Sequence, residues 1–299
     1  MRVDQPGPVT DRITLLGRNE SCVYLVDGGE EFAILGGGMT YIVPDIITQI
    51  DFLGIDPGKI RHLVIHHSHF DHVGIVPGLK RRWPWLKVAA SSRAKALLSR
   101  TDVVETIVSL NTMLLPEENS GELKKDLDIR TIGVDNTAGD NDTIRCGDLD
   151  LVIIEVPGHS SCSIAVYIPR ESAMAASDAG GIPYGDHVFA AANSDFDAYQ
   201  ASLEKMSAYP ARVHLSEHYG AVTGDEGSSY MERSIAEAVK MRALLEATYA
   251  RHLDEEKTVE ELIEKVAARA SDYFLPKEVM TMVLGQMTRF IAKQHARQG

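Results

Sequence analysis

Four potential metal ligands fall within six residues in His67-Ser68-His69-Phe70-Asp71-His72, directly after the apolar run Leu63-Val64-Ile65. This constrains the fold more than any other feature of the chain. A loop at the C-terminal edge of a short buried strand can turn such side chains toward one point. Imidazole and carboxylate are ligands suited to Zn, Fe and Mn. Histidine elsewhere is an ordinary core or surface residue, and 11 in 299 residues is only modestly above background. The spacing carries the signal. One loop rarely completes a two-metal site, and three further candidates each follow a predicted strand: His159 after 149–156, Asp178 after 174–176 and His218 after 213–216. A strand-end Asp alone is a common turn former, so the ordered set matters more than any member.

The surrounding pattern is strands alternating with helices. Residues 13–35 hold three short apolar runs separated by Gly17-Arg18-Asn19-Glu20 and Asp27-Gly28-Gly29, which predicts an antiparallel meander. Gly36-Gly37-Gly38 ends the third run. Pro44 and the spacing of Ile46, Ile47, Ile50 and Leu53 predict a helix over 43–53. Strands are expected over 63–65, 87–90, 128–134, 149–156, 163–168, 174–177 and 211–216. Helical stripes run over 91–115 and over 197–209, the latter capped by Asp195 or Asp197. Beyond residue 225 the pattern becomes purely helical. Ser229 with Glu232, and Thr258 with Glu261, read as capping boxes, Asp254-Glu255-Glu256-Lys257 as a solvated turn, and Pro276 as the first turn of a third helix. The expected division is therefore a layered, metal-binding part over 1–225 and a helical cap over 226–299.

Charge supports the same division. The net charge of −13 lies wholly in 1–228, and 229–299 is neutral. An acidic chain lacks the basic surface a general nucleic-acid partner needs, and it would be repelled by an anionic membrane. No apolar run is long enough to span a bilayer, and residues 1–11 show no secretory pattern. Cys22, Cys146 and Cys162 are widely spaced and odd in number, reading as free thiols in a reducing cytoplasm.

The ordered set His67-Ser68-His69-Phe70-Asp71-His72, His159, Asp178, His218 resembles the metallo-β-lactamase-fold hydrolases over about residues 10–225. The resemblance implies an α+β fold, a four-layer αβ/βα sandwich, here with a C-terminal α-helical extension. It implies two divalent metal ions per chain (Zn, Fe or Mn). One would be held by His67, His69 and His159, the other by Asp71, His72 and His218, with Asp178 bridging. The set looks most like the glyoxalase II, lactonase and thioesterase branches. His72-Val73-Gly74-Ile75-Val76-Pro77, Leu110-Asn111-Thr112-Met113-Leu114-Leu115, the helix start at Asp197-Ala198-Tyr199 and Phe274-Leu275-Pro276-Lys277-Glu278 are similar to the quinolone-signal-response thioesterases, which hydrolyse 2-aminobenzoylacetyl-CoA. Three positions depart from the family. Gly36-Gly37-Gly38 stands where many members carry Asp, so a carboxylate behind the ligands is missing there. His66 replaces a usual Thr, and Glu217 replaces a usual Gly.

The implied chemistry is a shared hydroxide of lowered pKa attacking a carbonyl, with Asp71 and Asp178 as proton acceptors. The expected substrate is a small-molecule thioester, acyl-CoA-like, or another ester-like compound, and a homodimer is possible. The alternatives are a lactonase, a glyoxalase II or a phosphodiesterase, and a regulatory binding protein that keeps its metal site. No basic glutathione-binding set is visible in the helical part. Met280, Met282 and Met287, with Phe274 and Phe290, either pack the helical core or shape an acyl pocket. Tyr184 is expected in a flexible loop over 180–186. Cys162 has no case as a nucleophile, and His62, His187, His214, His252 and His295 read as structural or surface residues.

Overall fold

Ile13–Gly17, Cys22–Asp27 and Phe32–Leu35 form the expected meander, every strand pairing antiparallel with the next. The computed structural model describes residues 1–117, 120–267 and 276–298. After Leu35 the pairing switches to parallel: Phe32–Leu35, Ile60–Val64, Lys87–Ala90 and Asn136–Thr137 run side by side. Gly7–Pro8 completes this seven-stranded sheet at the far edge. Parallel strands require crossovers, and helices α1 (Val43–Phe52), α2 (Ile75–Arg82), α3 (Ser92–Leu98), α4 (Thr101–Met113) and α5 (Ser120–Asp126) belong to these connections. They bury Ile46, Ile50, Leu79, Leu98 and Val104 against Leu16, Ile34, Leu63 and Val88.

The second sheet has the spatial order Arg2–Val3, Ala221–Val222, Val213–Leu215, Ala173–Ala175, Ile164–Ile168, Leu149–Glu155, Thr143–Cys146. Its inner face meets the first sheet through Leu151, Ile153, Val166 and Ala175 against Leu15, Tyr24, Val26 and Leu35. Its outer face is covered by α6 (Phe196–Ser207), α8 (Tyr230–His252), α9 (Glu255–Ala267) and α10 (Lys277–Gln298), while the short α7 (Gly224–Ser228) leads into α8. The result is a four-layer αβ/βα sandwich with a C-terminal helical extension. Val279 of α10 packs with the first helical layer and Met280 with the second. The N-terminal turn of α10 thus touches both sides of the sandwich. Among the described residues, no helix is long and apolar enough to cross a membrane.

Several local expectations need correction. No strand forms over 128–134. Ile132 and Val134 are buried alternately, but the segment bonds to the end of α3 (Ile132 N–H to Leu98 O, 3.0 Å), and a ladder begins only at Asn136. The helical stretch over 91–115 is made of two helices, α3 and α4, which meet at Arg100, whose extended backbone stands at the N-cap of α4. The loop over 180–186 contains a strand, Ile182–Tyr184, paired with His187–Phe189. Asp254 is no solvated turn residue: its carboxylate accepts from Lys257 N–H at 2.9 Å and caps α9, so Thr258 lies one turn inside the helix. Ser229 makes no side-chain cap bond to α8.

Candidate metal centre

The parallel pairing brings the C-terminal ends of Phe32–Leu35, Ile60–Val64 and Lys87–Ala90 to one edge of the first sheet. The strand pairing of the second sheet likewise makes Leu149–Glu155, Ala173–Ala175 and Val213–Leu215 parallel, with their C-terminal ends together. His67, His69, Asp71 and His72 follow the first set, and His159, Asp178 and His218 follow the second. All seven side chains meet where the sheets face one another.

Three groups of ligand atoms lie within 4.8 Å of one another: His67, His69 and His159; His67, His72 and Asp178; and Asp71, His72 and His218. His159 Nε2 is 3.1 Å from His67 Nε2 and 3.0 Å from His69 Nδ1. His72 Nε2 is 3.1 Å from His218 Nε2 and 3.2 Å from Asp178 Oδ2. Donor atoms sharing a tetrahedral ion at about 2.0 Å lie about 3.3 Å apart, so the spacing fits a cation. Asp178 Oδ1 is buried with no hydrogen-bond partner, as a carboxylate oxygen reserved for an ion would be. The outer ring nitrogens are also engaged. His159 Nδ1 lies 2.7 Å from Ala191 O and His218 Nδ1 2.7 Å from Glu20 O, so both rings donate outward and turn Nε2 toward the site.

Electrostatics divides the site into two halves. Burial, reinforced by His159, holds the His69 imidazole down to about 3; burial and the neighbouring imidazoles hold His67 well below the ordinary range. These rings stay neutral and keep their lone pairs. Burial opposes charge on His72 too, but Asp178, Asp71 and Glu217 outweigh it and raise its pKa. Burial would raise the carboxyls of Asp71 and Asp178, yet His72 and His218 hold both below the usual carboxylate range.

Backbone strain sits beside the candidate ligands. Ser177, before Asp178, has φ +48°, and Tyr219, after His218, has φ +59°. Such non-glycine residues persist where the surrounding structure holds them. Gly158, before His159, has φ +131°, and a Cβ there would meet Tyr199 N at 2.2 Å. Only glycine lets α6 approach this candidate ligand so closely.

A model of the metallo-beta-lactamase superfamily matches residues 16–218. The chain belongs to the metallo-beta-lactamase superfamily. It is 24% identical over 220 residues to a hydroxyacylglutathione hydrolase of Bradyrhizobium sp. (strain BTAi1 / ATCC BAA-1182), covering 71% of each chain. Its fold is similar to that of a metallo-beta-lactamase family protein from Thermus thermophilus (TM-score 0.65, 17% identity, 97% of this chain and 93% of that one). It is also similar to an archaeal superfamily protein from Sulfolobus tokodaii (TM-score 0.56, 21% identity, 78% and 83%). Members of the superfamily are metal-dependent hydrolases.

In this superfamily member a cavity of about 560 Å³ opens over His69, Asp71, His159, Asp178 and His218. One wall is Leu97, Val103, Ile107 and Leu110 from α3 and α4. The other is Val279, Met280, Met282 and Val283 from α10, with Ile182 and Phe189 of the hairpin beneath. Polar groups are few: Thr106, Asn193, Gln286 and four serines. Among the described residues the wall holds no Lys or Arg. Of the methionines singled out from sequence, Met280 and Met282 reach this wall, Met287 is fully buried among the C-terminal helices, and Phe290 packs against that core. Phe274 and Leu275 lie outside the described residues. Tyr184 packs edge-to-face against Tyr219 with ring centroids 5.1 Å apart. Cys162 is buried, its Sγ 3.3 Å from both Ser68 Oγ and Ser160 Oγ.

Sequence reasoning missed Asn111. Its amide is buried within α4, donates to Phe70 O at 2.7 Å and accepts from Thr40 N–H at 2.9 Å, pinning the turn that carries Asp71 and His72. In the sequence it stands only within the run Leu110-Asn111-Thr112-Met113-Leu114-Leu115 that carries the family resemblance, with no role of its own.

Proposed function

We propose that the protein is a two-metal thioester hydrolase for substrates with a neutral, apolar acyl group. The observation that carries this reading is the join between a seven-ligand cluster and an apolar cavity without cations among its described lining residues. On this reading His67, His69 and His159 hold one divalent ion and Asp71, His72 and His218 the other, with Asp178 between them. Ions there supply activation of a water and polarisation of the acyl carbonyl. The chain's own residues orient and exclude. Outward hydrogen bonds from His159 and His218 fix the imidazoles, Asp71 and Asp178 enter the reaction ionised so that one of them can take the proton of the attacking water, and the α3, α4 and α10 walls keep bulk water from the acyl group. A thiolate leaves without needing a proton.

The hydroxyacylglutathione hydrolase relative favours a second reading, also thioester hydrolysis, with glutathione as the thiol. Glutathione carries two carboxylates and coenzyme A several phosphate charges, so a lining without Lys or Arg among its described residues bears on the acyl group and does not choose between the thiols. The resemblance to the thioesterases acting on 2-aminobenzoylacetyl-CoA points the same way as the apolar lining. The test is a hydrolysis panel with metal analysis: aliphatic and aromatic acyl-CoA thioesters, 2-aminobenzoylacetyl-CoA, a hydroxyacylglutathione, acylhomoserine lactones and a bis-aryl phosphodiester. Apolar acyl thioesters should show kcat/KM at least about tenfold above the others, near 1.4 kcal/mol of transition-state preference. A lactone or phosphodiester leading the panel overturns the thioester reading. Asp178→Ala should abolish turnover; a biological effect surviving that loss would favour the regulatory role instead.

A further inference from the structure

We propose that Glu217 is the positioning carboxylate of the His72 half of the site, delivered from the second sheet because the glycine turn of the first sheet cannot carry one. The inference rests on the two-metal reading and adds a residue to it.

Two departures from the family pattern prove to be one structure. Glu217 is 1% exposed and its carboxylate is surrounded by donors. Oε2 accepts from Gly37 N–H at 2.9 Å and from Gly38 N–H at 3.3 Å. Oε1 lies 2.9 Å from His66 Nδ1 and 3.2 Å from His72 Nδ1. A buried carboxylate bound this way stays ionised, accepting only. His66 Nδ1 therefore donates to this carboxylate, and the charge beside His72 Nδ1 favours a proton there, so that His72 Nε2, facing Asp178 and His218, is the atom left to ligate when an ion is bound. Ser177 Oγ is the hydrogen-bond partner of the same Nδ1 at 3.2 Å; it is neutral, whereas Glu217 Oε1 at 3.2 Å brings the charge.

The turn explains why this carboxylate arrives from 180 residues away. A Cβ at Gly36, where φ is +100°, would lie 2.7 Å from Glu217 Oε2; a Cβ at Gly37 would lie 2.0 Å from His72 O. Any side chain at either position displaces the carboxylate or the ligand turn. His66, next to the ligand His67, completes the arrangement as a second donor. Partners behind a metal-ligating histidine fix its tautomer and raise its basicity, and their loss costs about 10–100-fold in metal affinity.

A carboxylate that merely satisfied the glycine N–H groups would affect stability alone. Glu217→Gln separates the two roles. An amide offers one acceptor end for four donors, so the imidazoles lose their shared acceptor while the volume is kept. Zinc titration against a chromophoric chelator should show two ions per wild-type chain. In Glu217→Gln one ion should bind as in wild type and the other about 10–100-fold more weakly. Two ions at wild-type affinity overturn the inference and leave the two-metal reading standing. Fewer than two in wild type overturn both. If Glu217→Gln does not fold, long-range 1H–15N NMR of the zinc-loaded wild-type protein decides. His72 protonated at Nδ1 is the expected tautomer, and an unprotonated Nδ1 sinks the proposal.

Discussion

His214 stands four residues before a candidate ligand in the same strand region, yet it faces away, its ring 4.8 Å from that of Tyr230. Burial drives its imidazole down to about 4, against 6.5 in an unfolded chain. The unfolded state therefore binds more protons between those values. The stability contributed by the neutral ring is complete above pH 6.5 and is lost as pH falls toward 4, on the order of 2–3 kcal/mol by pH 4.5. Urea unfolding of metal-stripped protein at pH 4.5 and 7.5 should show this loss in wild type and a loss smaller by about that amount in His214→Phe; equal losses would refute the assignment. Residues differ in how visible they are beforehand. The cluster that the structure brings together could be seen as candidates because metal chemistry restricts residue type and a single loop concentrates four of its members, the family resemblance ordering the rest. Glu217 and Asn111 could not be assigned roles, because the groups they hold lie 151 and 41 residues away.

Helix α10 is the element on which substrate preference depends in this reading. Val279, Met280, Met282, Val283 and Gln286 face the cavity from one side, so bulk added there shortens the space for an acyl chain. Val283→Trp should lower kcat/KM for long-chain acyl thioesters by roughly tenfold or more, while acetyl thioesters and zinc content stay unchanged. Equal losses for short and long chains would remove α10 from selectivity. At the other end of the helical region, Asp254→Ala should cost about 1 kcal/mol through the lost cap of α9, measurable by denaturant unfolding. Element types followed from periodicity over most of the chain, including α1, α6, α8 and the meander. Failures came where an extended or capping segment found an unexpected partner: 128–134 bonded to the end of α3, and Asp254 acted as a cap where a charged run read as solvated turn. The seven residues of α5 gave too little periodicity to be seen, although its buried Asp126 takes up Arg81 and Arg82.

Across the whole molecule, four candidate ligands hang from one sheet and three from the other, so any ion bound there ties the two halves together. Mass action then links metal to stability: free zinc at a hundred times the dissociation constant should raise the unfolding free energy by about 2.7 kcal/mol per site. The melting temperature should rise with zinc concentration and fall on chelation; a zinc-independent melting temperature would contradict a site assembled from both sheets. A layered plan could be anticipated from strand–helix alternation, and the four-layer sandwich from the family resemblance. The seating of α10 across both helical layers could not, since helical stripes give an apolar face and not its neighbour. One consequence of the glycine turn reaches beyond this chain. Positions 36 and 217 share a single volume, and a single mutation at 36 that adds a side chain meets an acid already lodged there. Related sequences should therefore change the two positions jointly, an acid in the turn accompanying a small residue before the last histidine, and intermediates with both or neither should be rare.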